Sequence, residues 1–335
     1  MFEYIGRKTL QHLPAETAHD LSIKLLRSPL STLVSSSIAH NPIKLMDIEF
    51  PNPVGLAAGF DKNADAVSGL EKLGFGFIEV GTVTPKGQAG NPKPRLFRLP
   101  KNQAIINRMG FNNKGVAHLV NQLKKQKPKG IIGINIGKNK ITDNAQAVDD
   151  YLFCLNKVHL LADYITINIS SPNTLNLRQL QQSDQLLKLL DSLKKQQLIL
   201  AKDTGKYTPI VVKIAPDQDR KSTEQMAQNI KNSGIDGIIC TNTTVDKNNL
   251  KKECYQDEAG GLSGKPLFSR SNEIISNVRQ TLGQDFPIIG VGGILTGADA
   301  MSKIDAGANL VQIYTGFVYK GAGLINSINQ QITSH

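Results

Sequence analysis

Eight short apolar runs recur along the chain, at residues 54–58, 77–83, 131–136, 164–169, 210–214, 237–242, 287–291 and 310–315. Between them lie segments of helical character at 64–73, 116–125, 145–161, 183–200, 222–233, 271–282 and 297–306. Near-continuous apolar strands that alternate with helices imply parallel strands, buried on both faces and joined by crossovers. Eight such units favour an α/β fold of the closed (β/α)8 TIM-barrel type over an open, doubly wound sheet. The longest insertions, 85–113 and 243–266, follow the second and sixth strands and so rise from the C-terminal mouth, where barrel loops build sites.

The strand ends carry the chemistry. The first runs into Ala58-Gly59-Phe60-Asp61-Lys62, the third holds Asn135, and the fourth ends in Asn168-Ile169-Ser170-Ser171-Pro172-Asn173-Thr174. The fifth holds Lys213, and the sixth ends in Thr241-Asn242-Thr243. Each exit alone reads as a turn, since Ser, Pro and Asn are turn formers. Two lysines and several amides converging on one mouth point instead to a ligand site. The last two strands end in Gly290-Val291-Gly292-Gly293 and Tyr314-Thr315-Gly316, where such barrels bind phosphate through bare backbone N–H groups.

Residues 1–37 read as two short amphipathic helices split near Leu13-Pro14. Ala18, Leu21, Leu25 and Leu26 share a stripe of the second, and Phe2, Tyr4 and Ile5 add bulk to the first. Such a pair is either docked on its own domain or lies in a lipid headgroup layer. A small β-hairpin with a Pro-Asn-Pro turn region is expected over 44–53. The chain therefore divides into a helical segment, 1–40, and a barrel, 41–335. A net charge of +11 suggests anionic company (nucleic acid, phosphates, acidic substrates or anionic lipid), or simply a solvated surface. The densest basic stretch, Lys124-Lys125-Gln126-Lys127-Pro128-Lys129, reads as a helix end and loop. Three cysteines without paired spacing and six scattered histidines indicate neither a disulfide framework nor a metal site. No apolar run is long enough to span a bilayer, and the N-terminus lacks a signal-peptide pattern.

Six motifs, in order over nearly the whole chain, resemble the dihydroorotate dehydrogenase family, class 2, its quinone-dependent and membrane-associated type. They are Gly55-Leu-Ala-Ala-Gly-Phe-Asp-Lys62, Asn107-Arg-Met-Gly-Phe111, Asn135-Ile-Gly-Lys-Asn139, Asn168 to Thr174, Val291-Gly-Gly-Ile294 and Tyr314-Thr315. The resemblance implies a barrel with one FMN that oxidises dihydroorotate to orotate in pyrimidine biosynthesis and passes electrons to ubiquinone or menaquinone. It implies Ser171 as the base for the C5 proton, with Thr174 and a water as relay. Class 1 carries Cys at this position, so Ser171 argues for class 2.

By the same resemblance Lys62 meets the substrate carboxylate, and Asn107, Arg108, Met109, Gly110, Phe111, Asn168, Asn173, Asn242 and Thr243 surround the pyrimidine. Carboxamides suit its alternating donors and acceptors. Ala58, Gly59, Phe60, Asp61, Lys62, Thr82, Asn135, Asn168, Thr241, Gly264, Gly293, Tyr314 and Thr315 would form the FMN pocket, with Lys213 at the flavin N1 and O2 edge. The N-terminal helices would become a quinone tunnel, with His19 and Arg98 near the quinone head; a surface histidine on a helix is the competing reading for His19. The expected protein is a monomer with no nucleic-acid partner, peripheral to the cytoplasmic face of a bacterial inner membrane. Two rivals remain. A dihydrouridine synthase-like flavoenzyme acting on tRNA suits the positive charge, but those enzymes use a Cys near the mouth, where this chain has Ser171. A membrane-peripheral binding module without catalysis is the other.

Overall fold

The computed structural model describes residues 10–34, 38–181, 183–248 and 250–334. A hairpin, β1 (Ile43–Leu45) and β2 (Ile48–Phe50), precedes eight parallel strands that close into a barrel. Around the barrel these are β3 (Val54–Leu56), β4 (Phe77–Val83), β7 (Ile131–Ile136), β8 (Tyr164–Asn168), β9 (Ile210–Ile214), β10 (Gly237–Cys240), β12 (Ile288–Val291) and β13 (Leu310–Ile313). The remaining strands, β5 (Leu96–Leu99), β6 (Ala104–Asn107) and β11 (Gly261–Gly264), form an antiparallel sheet. A helix α1 (Ala15–Arg27) precedes the hairpin. Crossover helices are α2 (Val67–Glu71), α3 (Val116–Gln126), α4 (Ala147–Val158), α5 (Ser183–Thr204), α6 (Arg220–Asn232), α7 (Phe268–Leu282) and α8 (Gly297–Asp305), followed by α9 (Thr315–Lys320) and α10 (Gly323–Thr333).

The period of two along each strand sorts its residues between two cores. In β9, Ile210, Val212 and Ile214 pack outward under the helices and Val211 packs inward, so Lys213 falls on the inward register. The same count puts Glu79 beside Phe77 in β4, Asn135 beside Gly133 in β7, Thr166 and Asn168 beside Tyr164 in β8, and Gln312 beside Leu310 in β13. Glu79, Asn135, Thr166, Asn168, Lys213 and Gln312 therefore face the barrel interior, and a register shift between Gly81 and Val83 brings Thr82 to Asn135 and Asn168 as well. Room for its large rings comes from neighbouring glycines. A Cβ at Gly55 would lie 2.2 Å from the Phe77 ring, and one at Gly133 would lie 2.2 Å from Tyr164 Cζ. Replacing Gly133 by alanine is expected to destabilise the barrel by about 3 kcal/mol, the upper range for overpacking. A thermal midpoint equal to that of the unaltered protein would contradict this packing.

The hairpin closes the N-terminal end of the barrel. Phe50 is fully buried against the interior, its ring 5.2 Å from that of Phe77, with Ile43, Leu45, Met46 and Ile48 packed around it. Its turn is at Met46-Asp47, both at positive φ (53° and 58°), the two-residue geometry that matches strand twist. This corrects the expected Pro-Asn-Pro turn. Residues 51–53 instead lead into β3, and Asn52 Oδ1 accepts from the Val54 N–H (3.0 Å).

Other boundaries also moved. The helix expected at 64–73 shortens to α2 because the Asp61 carboxylate takes the N–H groups of Asp65 (2.9 Å) and Ala66 (2.7 Å), winding the chain before it into turns. The eighth strand stops at Ile313, and Thr315 begins α9. The insertions at 85–113 and 243–266 are not simply loops, since β5, β6 and β11 pair across them. The first of the two N-terminal helices falls largely on residues 1–9, outside the described residues. The second, α1, is tied to the mouth by Glu16, whose carboxylate meets Arg95 at 2.8 Å and Lys93 at 3.2 Å. Among the described residues no helix is long and apolar enough to cross a membrane.

Candidate active site

A cleft of about 1090 Å³ lies over the C-terminal ends of the barrel strands. Its wall takes Ala58, Gly59 and Lys62 after β3, Thr82 from β4, Asn168, Ser171 and Asn173 from and beyond β8, and Lys213 from β9. Thr241, Asn242 and Thr243 follow β10, Gly293 follows β12, and Tyr314 and Thr315 follow β13. Asn107, Met109, Gly110, Phe111 and Gly264 come from the antiparallel sheet and the turn after it, which therefore cover the mouth. Residues spread over most of the chain thus meet in one space, as the strand ends predict.

Five expected residues are elsewhere. Arg108 does not line the cleft: it pairs with Glu258 (2.6 Å), donates to the Pro94 carbonyl (2.8 Å) and lies over the Phe97 ring (4.7 Å). Its role is to fasten the mouth sheet. Asp61 is buried and spent on the turn before α2, and burial raises its carboxyl pKa. Asn135 is fully buried behind Thr82 and Asn168. Thr174 is buried off the wall, and its Oγ1 has no hydrogen-bond partner among the described residues. Phe60 faces a second, neighbouring cleft.

The sequence reading missed wall residues of two kinds. Gln312 had a signal, a polar residue inside the apolar run Leu310-Val311-Gln312-Ile313. Leu96, Ile105 and Ser263 had none, because their segments read as loop.

The wall has the donors and acceptors that a flavin mononucleotide needs. Lys213 is buried without a hydrogen-bond partner among the described residues; burial lowers its pKa, and the charge of Glu79 opposes that shift. Gln312 Oε1 is also buried and unpaired. Gly292 and Gly293, at φ 123° and 78°, bend the chain beside the start of α9, whose first N–H groups have no intrahelical acceptors. A ring with polar edges and a phosphate tail fits this set, and FMN is such a group.

Ser171 is buried, with Oγ accepting from the Asn173 N–H (3.3 Å), so its own proton is free to be directed elsewhere. Asn173 Nδ2 donates to Asn107 Oδ1 (3.2 Å), joining the loop after β8 to the mouth sheet. Lys62 donates to the Gly59 carbonyl (2.8 Å), and burial together with the charge of Arg95 lowers its pKa to about 8. It is therefore cationic below pH 8 and neutral above. The affinity of this cleft for a small carboxylate anion held by Lys62 is expected to fall by up to about tenfold per pH unit above 8, since each unit removes that share of the ammonium. A dissociation constant that stays flat to about pH 10 would separate Lys62 from the carboxylate.

The second cleft, about 1140 Å³, lies between α1 and the barrel. Ala18, His19, Ser22, Leu25, Phe60, Arg98, Phe317 and Val318 line it, and it shares Leu96, Ile105 and Tyr314 with the first. The two spaces are thus separated only by shared walls. His19 is half-buried and lines this cleft: its ring stands edge-on to Phe60 at 5.2 Å, and desolvation, reinforced by the Lys62 charge, lowers its pKa to about 3. Arg98 donates to the carbonyls of Leu10 (3.1 Å) and Leu13, which holds the chain before α1 against β5.

Comparison with known proteins agrees with this geometry. A family model described as dihydroorotate dehydrogenase matches residues 42–335. A protein of Chromobacterium violaceum named dihydroorotate dehydrogenase (quinone) is 54% identical over 323 residues, covering 95% of this chain and 94% of its own. One of the same name from Saccharophagus degradans is 52% identical and covers 100% of this chain and 99% of its own. The solved structure of the Eimeria tenella dihydroorotate dehydrogenase with ferulenol superposes with a TM-score of 0.90 at 38% identity, covering 95% of this chain and 90% of that one. The tRNA-modifying alternative finds no support in these matches, and among the described residues no cysteine lines either cleft. On the match over residues 42–335 and on identity above one half along nearly its full length, the chain belongs to the dihydroorotate dehydrogenase family.

Proposed function

We propose that this chain is a quinone-dependent dihydroorotate dehydrogenase that oxidises (S)-dihydroorotate to orotate in de novo pyrimidine biosynthesis. One observation carries the reading: a polar cleft built around Ser171, Lys62 and Lys213 shares a wall with an apolar cleft under α1. A hydrogen-rich polar substrate and a lipid-soluble acceptor need two such spaces, side by side.

The chemistry FMN supplies when bound is acceptance of a hydride from C6 and delivery of two electrons to quinone. The protein does the rest. Ser171 Oγ takes the C5 proton, and Thr174, whose hydroxyl has no partner among the described residues, relays through a water the proton that Ser171 gives up. Lys62 holds the substrate carboxylate, and the amides of Asn107, Asn168, Asn173 and Asn242, with Thr243, match the pyrimidine edge. Lys213, buried on the wall of the polar cleft, would stand at the flavin's N1 and O2 edge, where a cationic group favours the electron density gained on reduction. Gly264, Gly293, Tyr314 and Thr315, on the wall of the polar cleft, would help to hold the FMN. In the apolar cleft His19 stays neutral, and Arg98 is the fixed donor for the quinone head.

Leu25 (40% exposed) lines the apolar cleft and also faces solvent, as do Leu21 (48%) and Leu30 (55%) outside it, on a stretch that carries Lys24 and Arg27. This exposed apolar and basic stretch supports peripheral docking on an anionic bilayer; the same reading takes the protein as a monomer at the cytoplasmic face of a bacterial inner membrane, with its substrates and lipid, and no nucleic acid, as partners. The deciding experiment is anaerobic. Dihydroorotate should bleach the flavin of the purified protein, and a ubiquinone or menaquinone analogue, but not NAD, should restore it. Flavin that is present but does not bleach would remove the substrate assignment.

A further inference from the structure

The floor of the polar cleft is governed by a side chain that never reaches it. Glu79 is fully buried on the inward register of β4 and lines neither cleft. Three donors from three other strands converge on its two oxygens: Asn135 Nδ2 from β7 (2.7 Å), the Tyr164 hydroxyl from β8 (3.0 Å) and Gln312 Nε2 from β13 (2.8 Å). Burial and the charge of Glu79 push the Tyr164 pKa far up, so that hydroxyl remains a donor. A carboxylate in the middle of a barrel is costly to desolvate, and an apolar group of the same volume is often tolerated better. What the carboxylate supplies that an apolar group lacks is direction, because it only accepts.

That direction propagates. With its Nδ2 committed to Glu79, Asn135 turns Oδ1 toward the mouth, where it accepts from Thr82 Oγ1 (2.5 Å) and Asn168 Nδ2 (3.2 Å). Asn168 Nδ2 also donates to Thr82 Oγ1 (2.9 Å), so its amide hydrogens are both spent. Its Oδ1 therefore faces the other way and accepts from Ser170 Oγ (3.2 Å) and Asn242 Nδ2 (3.3 Å). On the opposite side, Gln312 gives Nε2 to both Glu79 and the Tyr164 hydroxyl, which leaves its Oε1 unpaired on a residue of the wall.

We infer that Glu79 is a positioning residue that sets, from the barrel floor, which atom each of Thr82, Asn168, Asn242 and Gln312 offers to the bound flavin and pyrimidine. The inference rests on the FMN reading of the cleft. One acceptor-only group at the base of an amide chain permits one orientation of every amide above it. A group that can both donate and accept permits two. Glu79 is also the opposite charge acting on the Lys213 ammonium, so the same side chain tunes the field beneath the ring.

The test is a double-variant cycle. In Glu79→Gln the floor group can donate as well as accept, so Asn135 can sit either way up. In Asn135→Asp two carboxylates face each other. In the double variant the new floor amide donates upward to an acceptor-only carboxylate at position 135, which restores the original direction above it and moves the charge by one side chain. Three quantities are measured: FMN affinity, by fluorescence titration of deflavinated protein; the two-electron midpoint potential of the bound flavin; and the thermal midpoint.

The single variants are expected to weaken FMN by roughly tenfold or more, and the double variant to recover to within about threefold of the original, in keeping with the coupling seen between contacting groups. Glu79→Gln should also shift the potential, by about 30 mV for each tenfold change in the ratio of affinities for oxidised and reduced flavin. A purely structural role would lower the thermal midpoint and leave the potential where it was. Unchanged affinity and potential in Glu79→Gln, or a double variant as weak as the worse single, overturns the inference. If a single variant fails to fold, the double still decides, because FMN binding more than about tenfold weaker than the original contradicts restored direction. Protein that takes up no FMN without any substitution overturns the cleft reading itself, which is a separate result.

Discussion

Replacing Ser171 by alanine is expected to slow bleaching of the flavin by dihydroorotate by about 10²–10⁴-fold, the usual contribution of a positioned general base. The Ser171 hydroxyl lies on the wall of the polar cleft, and the Asn173 N–H donates to its oxygen. Alanine removes the only atom of that side chain that can accept a proton, and leaves the backbone and the glycine turns at the phosphate end untouched. FMN content and reoxidation by quinone should therefore match the original protein. Stopped-flow reduction under anaerobic conditions reads the first quantity, and flavin absorbance per chain reads the second. A loss of less than about tenfold would assign the proton to another group. A loss that disappears on exchange to cysteine, whose thiolate is the stronger base near neutrality, would reinforce the role.

Filling the apolar cleft should separate the two halves of the reaction. Ala18 is buried on α1 and lines the space under that helix. Tryptophan at this position adds a ring where the His19, Phe60 and Phe317 rings already crowd. Ala18→Trp is expected to lower turnover with a quinone by about 10²-fold, roughly 2.7 kcal/mol of barrier, while anaerobic reduction by dihydroorotate is unchanged. Equal loss in both half-reactions would mean that the two clefts do not serve different substrates. Equal activity in both would mean that quinone reaches the flavin by another route. The link from Glu16 to Arg95 makes a second observation possible, because Arg95 also donates to the Ala89 (2.6 Å) and Asn91 (2.8 Å) carbonyls of the mouth loop. A shift of α1 caused by overfilling is therefore felt at the mouth, and the unchanged reduction rate checks that α1 stays docked.

Much of the site was legible along the chain, for a physical reason. Strand ends of a parallel barrel all lie at one mouth, so Lys62, Ser171, Lys213 and Asn242 could be gathered from their places in the repeat without any contact being known. The positions that went astray depended on where a side chain points or what it meets. Asp61 was legible as part of a motif, but its carboxylate is taken by the backbone N–H groups of Asn63, Asp65 and Ala66. Arg108 sits inside the Asn107–Phe111 motif at the mouth, yet its Nη1 goes to Glu258, 150 positions later, and its Nη2 to the Pro94 carbonyl. The Met46-Asp47 turn was missed because Met is not a usual former of that turn, although Asp is, and burial of Phe50 selects the register.

The chain by itself determined the eight-unit repeat and the mouth at which the site is built. These follow from periods of two and 3.6, which are local. Only the tertiary structure decided which inward groups meet. Glu79 and Gln312 are 233 positions apart, and closure of the barrel brings their strands to either side of β3. The mouth sheet and the cleft under α1 are likewise made by surfaces distant in sequence, β11 on β6 and α1 against β5 and α9. Hydrogen-bond partners and shared walls of this kind leave no trace in local periodicity, because their energy exists only once the barrel has closed.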